Sequence, residues 1–234
     1  MHIRNLVTMA TAATSKLVVE PTKKHTASMI LLHGLGDSAH GWIDVAEQLA
    51  DALPHIRFVL PSASDKPVTM NGGMSMPSWY DIKNLAAGRS LETCDGLEGS
   101  VTEVHALIAE EHVKRGIPHD RIVLGGFSQG GAMSLWTGLQ FDRKLAGVIS
   151  MSGYMPRAGE FKASEQAKDT PVLFCHGTSD PVVQFSWAQA AHKLVKDSGV
   201  KNVRFIPYQG MVHTANQKEI EDVYHFMLQT VPEI

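Results

Sequence analysis

The sequence predicts an α/β fold, a mainly parallel sheet with helices on both faces. Three observations predict it. Short apolar, β-branched runs such as Met29-Ile30-Leu31-Leu32 and Ile122-Val123-Leu124 read as buried strands. Amphipathic helical stretches alternate with these runs along most of the chain. No internal repeat or low-complexity tract interrupts the alternation.

In chain order, residues 1–15 are rich in Thr and Ala and contain no acid, which predicts a flexible N-terminal extension ahead of a single domain over 16–234. One arginine, Arg4, and the absence of an apolar stretch weigh against a targeting segment. Residues 28–32 form a buried strand that ends in His33-Gly34-Leu35-Gly36-Asp37. Residues 41–53 read as a helix with Trp42, Val45, Ala46 and Leu49 on one face. A strand over 56–60 is stopped by Pro61. Residues 61–97 have no steady period and predict a long loop, too apolar to be disordered. Residues 97–114 form an amphipathic helix with Leu97, Val101, Val104, Leu107 and Ile108 inward. Its other side carries Glu98, Glu103, Glu110 and Glu111, expected to be a solvated face. A strand over 121–125 feeds a helix running to about 140. Further strands are expected at 145–151, 171–176 and 202–207, and helices at 184–198 and 216–229.

Composition narrows the function. The 234 residues, 44% hydrophobic and 19% charged, suffice for one sizeable core. A formal charge of −3 gives no case for a nucleic-acid partner. No run reaches the ~18 apolar residues of a membrane span, and a cytoplasmic location is expected. Cys94 and Cys175 are the only cysteines, so neither a disulfide framework nor a structural zinc site is expected. The twelve histidines are scattered without an H-E-x-x-H, and no metal or other cofactor is expected.

The chemistry centres on Gly126-Phe127-Ser128-Gln129-Gly130, a G-x-S-x-G with a strand before it and a helix after it. A tight strand-to-helix turn strains the serine and lifts its hydroxyl above the sheet edge. The glycines let the turn close. The alternative is a Gly-rich turn whose serine only caps the helix.

A serine hydroxyl needs a base, and the base needs a group that fixes its tautomer. Active groups in parallel sheets gather at the carboxyl ends of strands. His192 and His225 fall inside helices, and His176 ends a strand as a packed residue. His213 lies in a loop after the 202–207 strand and is the candidate base. Asp180 lies in the loop after the 171–176 strand and is the candidate acid. Asp142 and Asp169 sit near strand starts, and Asp197 on a helix end. Oxyanion donors are expected from the backbone amides of Gln129 and Leu35, the latter flanked by glycines that let the backbone approach a substrate. Met70, Met74, Met76 and Trp79 crowd the 61–97 loop. Adaptable Met side chains beside a Trp suit an acyl chain.

Together, Leu32-His33-Gly34-Leu35-Gly36-Asp37, Met76-Pro77-Ser78-Trp79-Tyr80-Asp81, Gly125-Gly126-Phe127-Ser128-Gln129-Gly130-Gly131, His176-Gly177-Thr178-Ser179-Asp180-Pro181-Val182-Val183 and Gly210-Met211-Val212-His213 resemble the acyl-protein thioesterase/lysophospholipase family, the phospholipase/carboxylesterase branch of the α/β-hydrolases. The resemblance covers about residues 26–230. It implies an α/β-hydrolase fold without a large cap domain. It also implies Ser128 as nucleophile, Asp180 as acid, His213 as base and the Leu35 and Gln129 amides as oxyanion hole. An acyl chain would bind under the loop holding Met70, Met74, Met76 and Trp79. Implied substrates are S-acylated proteins, lysophospholipids and simple esters, with transient membrane-surface contact and a monomer or weak homodimer. The chain departs from the family in its N-terminal extension, in lacking an N-terminal cysteine, and in the loop at 85–96. Two rivals are a short-chain carboxylesterase and a hydrolase-fold binding protein that has lost turnover.

Overall fold

The structure is a computed structural model and describes residues 9–11, 14–84 and 92–234. Eight strands form one sheet: β1 (Met9–Thr11), β2 (Thr14–Val19), β3 (Ala27–Leu32), β4 (Ile56–Pro61), β7 (Ile122–Phe127), β8 (Gly147–Met151), β9 (Val172–Gly177) and β10 (Val203–Tyr208). Their order is β1-β2-β4-β3-β7-β8-β9-β10. Strands β4, β3, β7, β8, β9 and β10 run parallel, while β1 and β2 pair antiparallel at one edge. Sheet pairing thus reaches into the segment expected to be a flexible extension, whose residues 1–8 and 12–13 lie outside the described residues.

Alternation along each strand sends side chains to opposite faces. Ile30, Leu32, Leu124, Val148 and Phe174 join one buried cluster, and Met29, Leu31, Val123, Ile149 and Cys175 the other. The first face is covered by α2 (Leu97–Ala109), α3 (Gln129–Gln140) and α4 (Phe185–Asp197), through residues such as Val104, Leu135 and Val195. The second is covered by α1 (Ile43–Ala52) and α5 (Gln217–Thr230), through Leu49, Val223 and Met227.

Two expectations need correction. The 61–97 stretch contains an antiparallel hairpin, β5 (Asp65–Val68) with β6 (Met74–Pro77). Pro67 and Pro77, with Val68 as the one β-branched residue of the two strands, hide it from any periodicity test. The acidic side of residues 97–114 is not uniformly solvated. Glu111 is 1% exposed, paired with the fully buried Arg57 of β4 and accepting from Ser28 Oγ at 2.7 Å. Glu110 pairs with Lys16 of β2 at 2.5 Å. Two cations carried by the sheet, Arg57 and Lys16, pair with these carboxylates. Of the loop at 85–96, residues 85–91 lie outside the described residues.

Candidate active site

The site is built at the carboxyl ends of β3, β7, β9 and β10. Ser128 follows β7 with φ 55° and ψ −117°, a backbone that costs a non-glycine residue on the order of 1–3 kcal/mol. It persists because its neighbours hold it. The Ser128 N–H donates to Met151 O at 2.8 Å, and Ser128 O accepts from the Ala132 N–H at 3.0 Å. The two flanking glycines are sterically required. A Cβ on Gly126 would lie 2.5 Å from the Gly130 carbonyl, and one on Gly130 would lie 2.2 Å from Leu32 O.

His213 reaches this hydroxyl from the loop after β10. Its Nε2 lies 2.9 Å from Ser128 Oγ, and its Nδ1 lies 2.7 Å from Asp180 Oδ2. A carboxylate only accepts, so Nδ1 carries the proton and Nε2 is free to accept from the serine. Asp180 Oδ1 accepts from the amides of Val182 (2.8 Å) and Val183 (2.9 Å). Burial acts to raise the Asp180 pKa, but the His213 bond and these two amides outweigh it and hold the carboxyl below the usual range. His176 is buried, with Nε2 donating to Val183 O at 2.8 Å, which fixes the same loop. The loops after β9 and β10 are tied together by Thr178 N to Tyr208 O, Ser179 N to Met211 O and Gly210 N to Thr178 Oγ1.

Leu35 and Gln129 face the same space. Among the described residues, neither backbone amide donates to a protein acceptor. The loop carrying Leu35 lies close against the serine, since a Cβ on Gly34 would meet Ser128 Cβ at 3.4 Å.

A cavity of about 260 Å³ opens beside Ser128 and His213, walled by Leu35, Met70, Ile82, Phe127, Tyr154, Val182 and Val183. Of the four residues expected around an acyl chain, Met70 lines it. Met76 packs behind the Leu35 loop, its Sδ 3.6 Å from where a Gly36 Cβ would stand. Met74 is 65% exposed at the hairpin, away from the cavity wall. Trp79 is fully buried in the core, its Nε1–H donating to His33 O at 2.9 Å, and does not reach the cavity. A Trp of that volume is better satisfied by full burial with its N–H bonded. Phe127, Val182 and Val183 belong to the site motifs, but the sequence reading assigned none of them to the cavity wall. Tyr154 follows β8 at the carboxyl end of the sheet, where the strand-end rule could have found it.

Among the described residues no cluster of three His, Cys, Asp or Glu side chains has metal-binding geometry. Cys94 and Cys175 are buried and are not joined in a disulfide. Among the same residues no helix is long and apolar enough to cross a membrane.

The sheet order and helix placement are those of the α/β-hydrolase fold. The chain belongs to the phospholipase/carboxylesterase family, which it matches over residues 13–231. It is 42% identical over 231 residues to acyl-protein thioesterase 1 of Cryptococcus neoformans, covering 92% of this chain and 97% of that one. It is 40% identical over 214 residues to acyl-protein thioesterase 1 of Yarrowia lipolytica, covering 89% and 94%. The crystal structure of Zea mays acyl-protein thioesterase 2 superposes with a TM-score of 0.81 at 28% identity, covering 92% of this chain and 98% of that one. The chain is thus a hydrolase.

Proposed function

We propose that this hydrolase cleaves long-chain acyl thioesters and esters through Ser128, His213 and Asp180, with S-acylated proteins as its main substrates and lysophospholipids as further ones. One observation carries this: the hydrogen-bonded chain from Ser128 Oγ to His213 to Asp180 opens directly onto an apolar cavity. The relatives named acyl-protein thioesterase support the same substrate class.

The steps follow from the protonation states. His213 Nε2 takes the Ser128 proton as Oγ attacks the acyl carbonyl. Asp180 holds the imidazole and stabilises the imidazolium. The amides of Leu35 and Gln129 donate to the oxyanion. The C–S or C–O bond breaks, His213 protonates the leaving thiol or alcohol, and the acyl group stays on Ser128. Water, deprotonated by His213, then releases the fatty acid. No cofactor takes part, and every group comes from one chain, so a monomer suffices. Exposed Val182 on the cavity wall and Val212 beside His213 fit brief contact with a lipid surface. Two buried cysteines kept as thiols fit a cytoplasmic enzyme.

A second reading, a short-chain carboxylesterase, has its own support. About 260 Å³ lies just below the roughly 300–1,000 Å³ of ligand pockets. Fluorophosphonate labelling tests the shared mechanism. Peptide mass mapping is expected to find the adduct on Ser128, with none in Ser128→Ala. Equal labelling of both proteins would rule the mechanism out.

A further inference from the structure

The Gly34–Leu35 peptide is gripped from its carbonyl side. Gly34 O lies 2.6 Å from His33 Nδ1 and accepts from the Asp37 N–H at 3.2 Å. The ring making the shorter contact is 1% exposed and held at its other nitrogen, where Nε2 accepts the Ala63 N–H at 2.9 Å. An amide N–H can only donate, so Nε2 is unprotonated and Nδ1 carries the hydrogen given to Gly34 O. Burial lowers the His33 pKa, which keeps the ring in this neutral form. The indole of Trp79 packs on the ring, 5.2 Å between centroids, and donates to His33 O at 2.9 Å. Every polar position of His33 that could let it turn is thereby occupied.

The peptide group is planar, and no cis bond occurs among the described residues. Its C=O and N–H therefore point in opposite directions. The N–H belongs to Leu35. With Gly34 O pulled toward His33, the Leu35 N–H is turned away from it, toward the cavity that Gly34 and Leu35 share with Ser128 and Gln129.

We propose that His33 is a positioning residue for the oxyanion hole: its Nδ1–H, bonded to Gly34 O, fixes the peptide plane and so aims the Leu35 amide at the developing oxyanion. This rests on the Leu35 amide being an oxyanion donor, as proposed above. His33 touches no substrate and moves no proton. Its task is to spare the transition state the reorientation of a glycine-flanked peptide.

Two substitutions separate aim from packing. In His33→Asn the side-chain NH2 falls near the Nδ1 position and can still donate to Gly34 O, while Ala63 loses its acceptor. In His33→Gln the side-chain oxygen falls near the Nε2 position and can still accept from Ala63, while Gly34 O loses its donor. Each loses one buried hydrogen bond, so thermal stabilities should fall similarly. kcat and KM for a p-nitrophenyl ester are then measured on the full-length chain. His33→Asn should keep kcat within about threefold of wild type. His33→Gln should lose about tenfold or more in kcat, with KM within about twofold in both, the pattern of an interaction made in the transition state. Equal kcat losses, or a larger loss in Asn, would overturn the proposal. Ser128→Ala is the blank. Hydrolysis surviving in it would count against the nucleophile and not against His33. A second readout uses only the wild-type protein: ring 15N shifts of His33 should report protonated Nδ1 and bare Nε2. An Nε2–H tautomer would leave Gly34 O without this donor and overturn the proposal by itself.

Discussion

Gln129 Oε1 accepts the backbone N–H of Trp79 at 2.9 Å, and its Nε2 donates to Tyr80 O at 2.7 Å. The residue whose amide is proposed as an oxyanion donor therefore also ties down the segment that leads from the hairpin to Ile82 on the cavity wall. In Gln129→Leu the buried Trp79 N–H loses its acceptor, a loss of about 1–3 kcal/mol. Urea unfolding should show a lower midpoint with an unchanged slope. An unshifted midpoint would mean that this side chain does not anchor the segment.

Asp180 does more than hold charge. Asp180→Asn would present an amide to His213 Nδ1 and favour the tautomer with Nε2 protonated, which cannot accept from Ser128. kcat should fall on the order of 10⁴-fold. The same carboxyl contributes to stability with a defined sign. Its folded pKa lies below the ordinary value of about 4. Its contribution is present above that ordinary value and is lost as pH falls through the depressed folded one. The stability gap between wild type and Asp180→Asn should close in that acid window, and a gap constant down to full protonation would contradict the assignment.

Glu219 of α5 has the opposite sign. It is fully buried, and among the described residues neither carboxylate oxygen makes a hydrogen bond of good geometry. Burial, with the nearby Asp222 charge, pushes its pKa up to about 8 against the lowering effect of the Asn216 backbone N–H. A raised acid stabilises the fold fully below its unfolded pKa of about 4 and loses that contribution as pH rises through the folded value. Glu219→Gln carries no such proton. Between pH 5 and 9 the variant should therefore gain stability relative to wild type, by roughly 1.4 kcal/mol per pH unit while the folded group stays protonated. Parallel stability curves in urea titrations would show that Glu219 is already ionised in the fold.

Arg57 and Glu111 form an ion pair in which both side chains are almost wholly buried. Arg57→Met alone leaves the carboxylate without its main partner and should cost about 3–5 kcal/mol. Arg57→Met combined with Glu111→Leu should recover at least half of that loss. Additive losses in the double variant would show that the two side chains do not depend on each other.

The site was more legible than its surroundings, for physical reasons. Ser128 and Asp180 follow the buried strands β7 and β9 and His213 follows the edge strand β10, and the carboxyl-end rule converts that order into proximity. The burial of Glu111 was not legible, because its partner Arg57 is 54 residues away in sequence. β2 escaped because Lys16 breaks its apolar pattern, and that lysine is buried only through Glu110. Trp79 and Met74 share one motif-bearing stretch, yet one is core and the other exposed. Composition places both near the site, but only the hairpin pairing decides which way each side chain points.

The most direct test of the proposed function is kcat/KM for acyl thioesters from four to sixteen carbons, with Ser128→Ala as blank. Each methylene withdrawn from water into the apolar cavity is worth about 0.8 kcal/mol, roughly fourfold. A long-chain acyl thioesterase should show a climb that continues into the long chains and vanishes in the blank. A series that peaks at the shortest chains and then falls would contradict the long-chain assignment and leave a short-chain esterase.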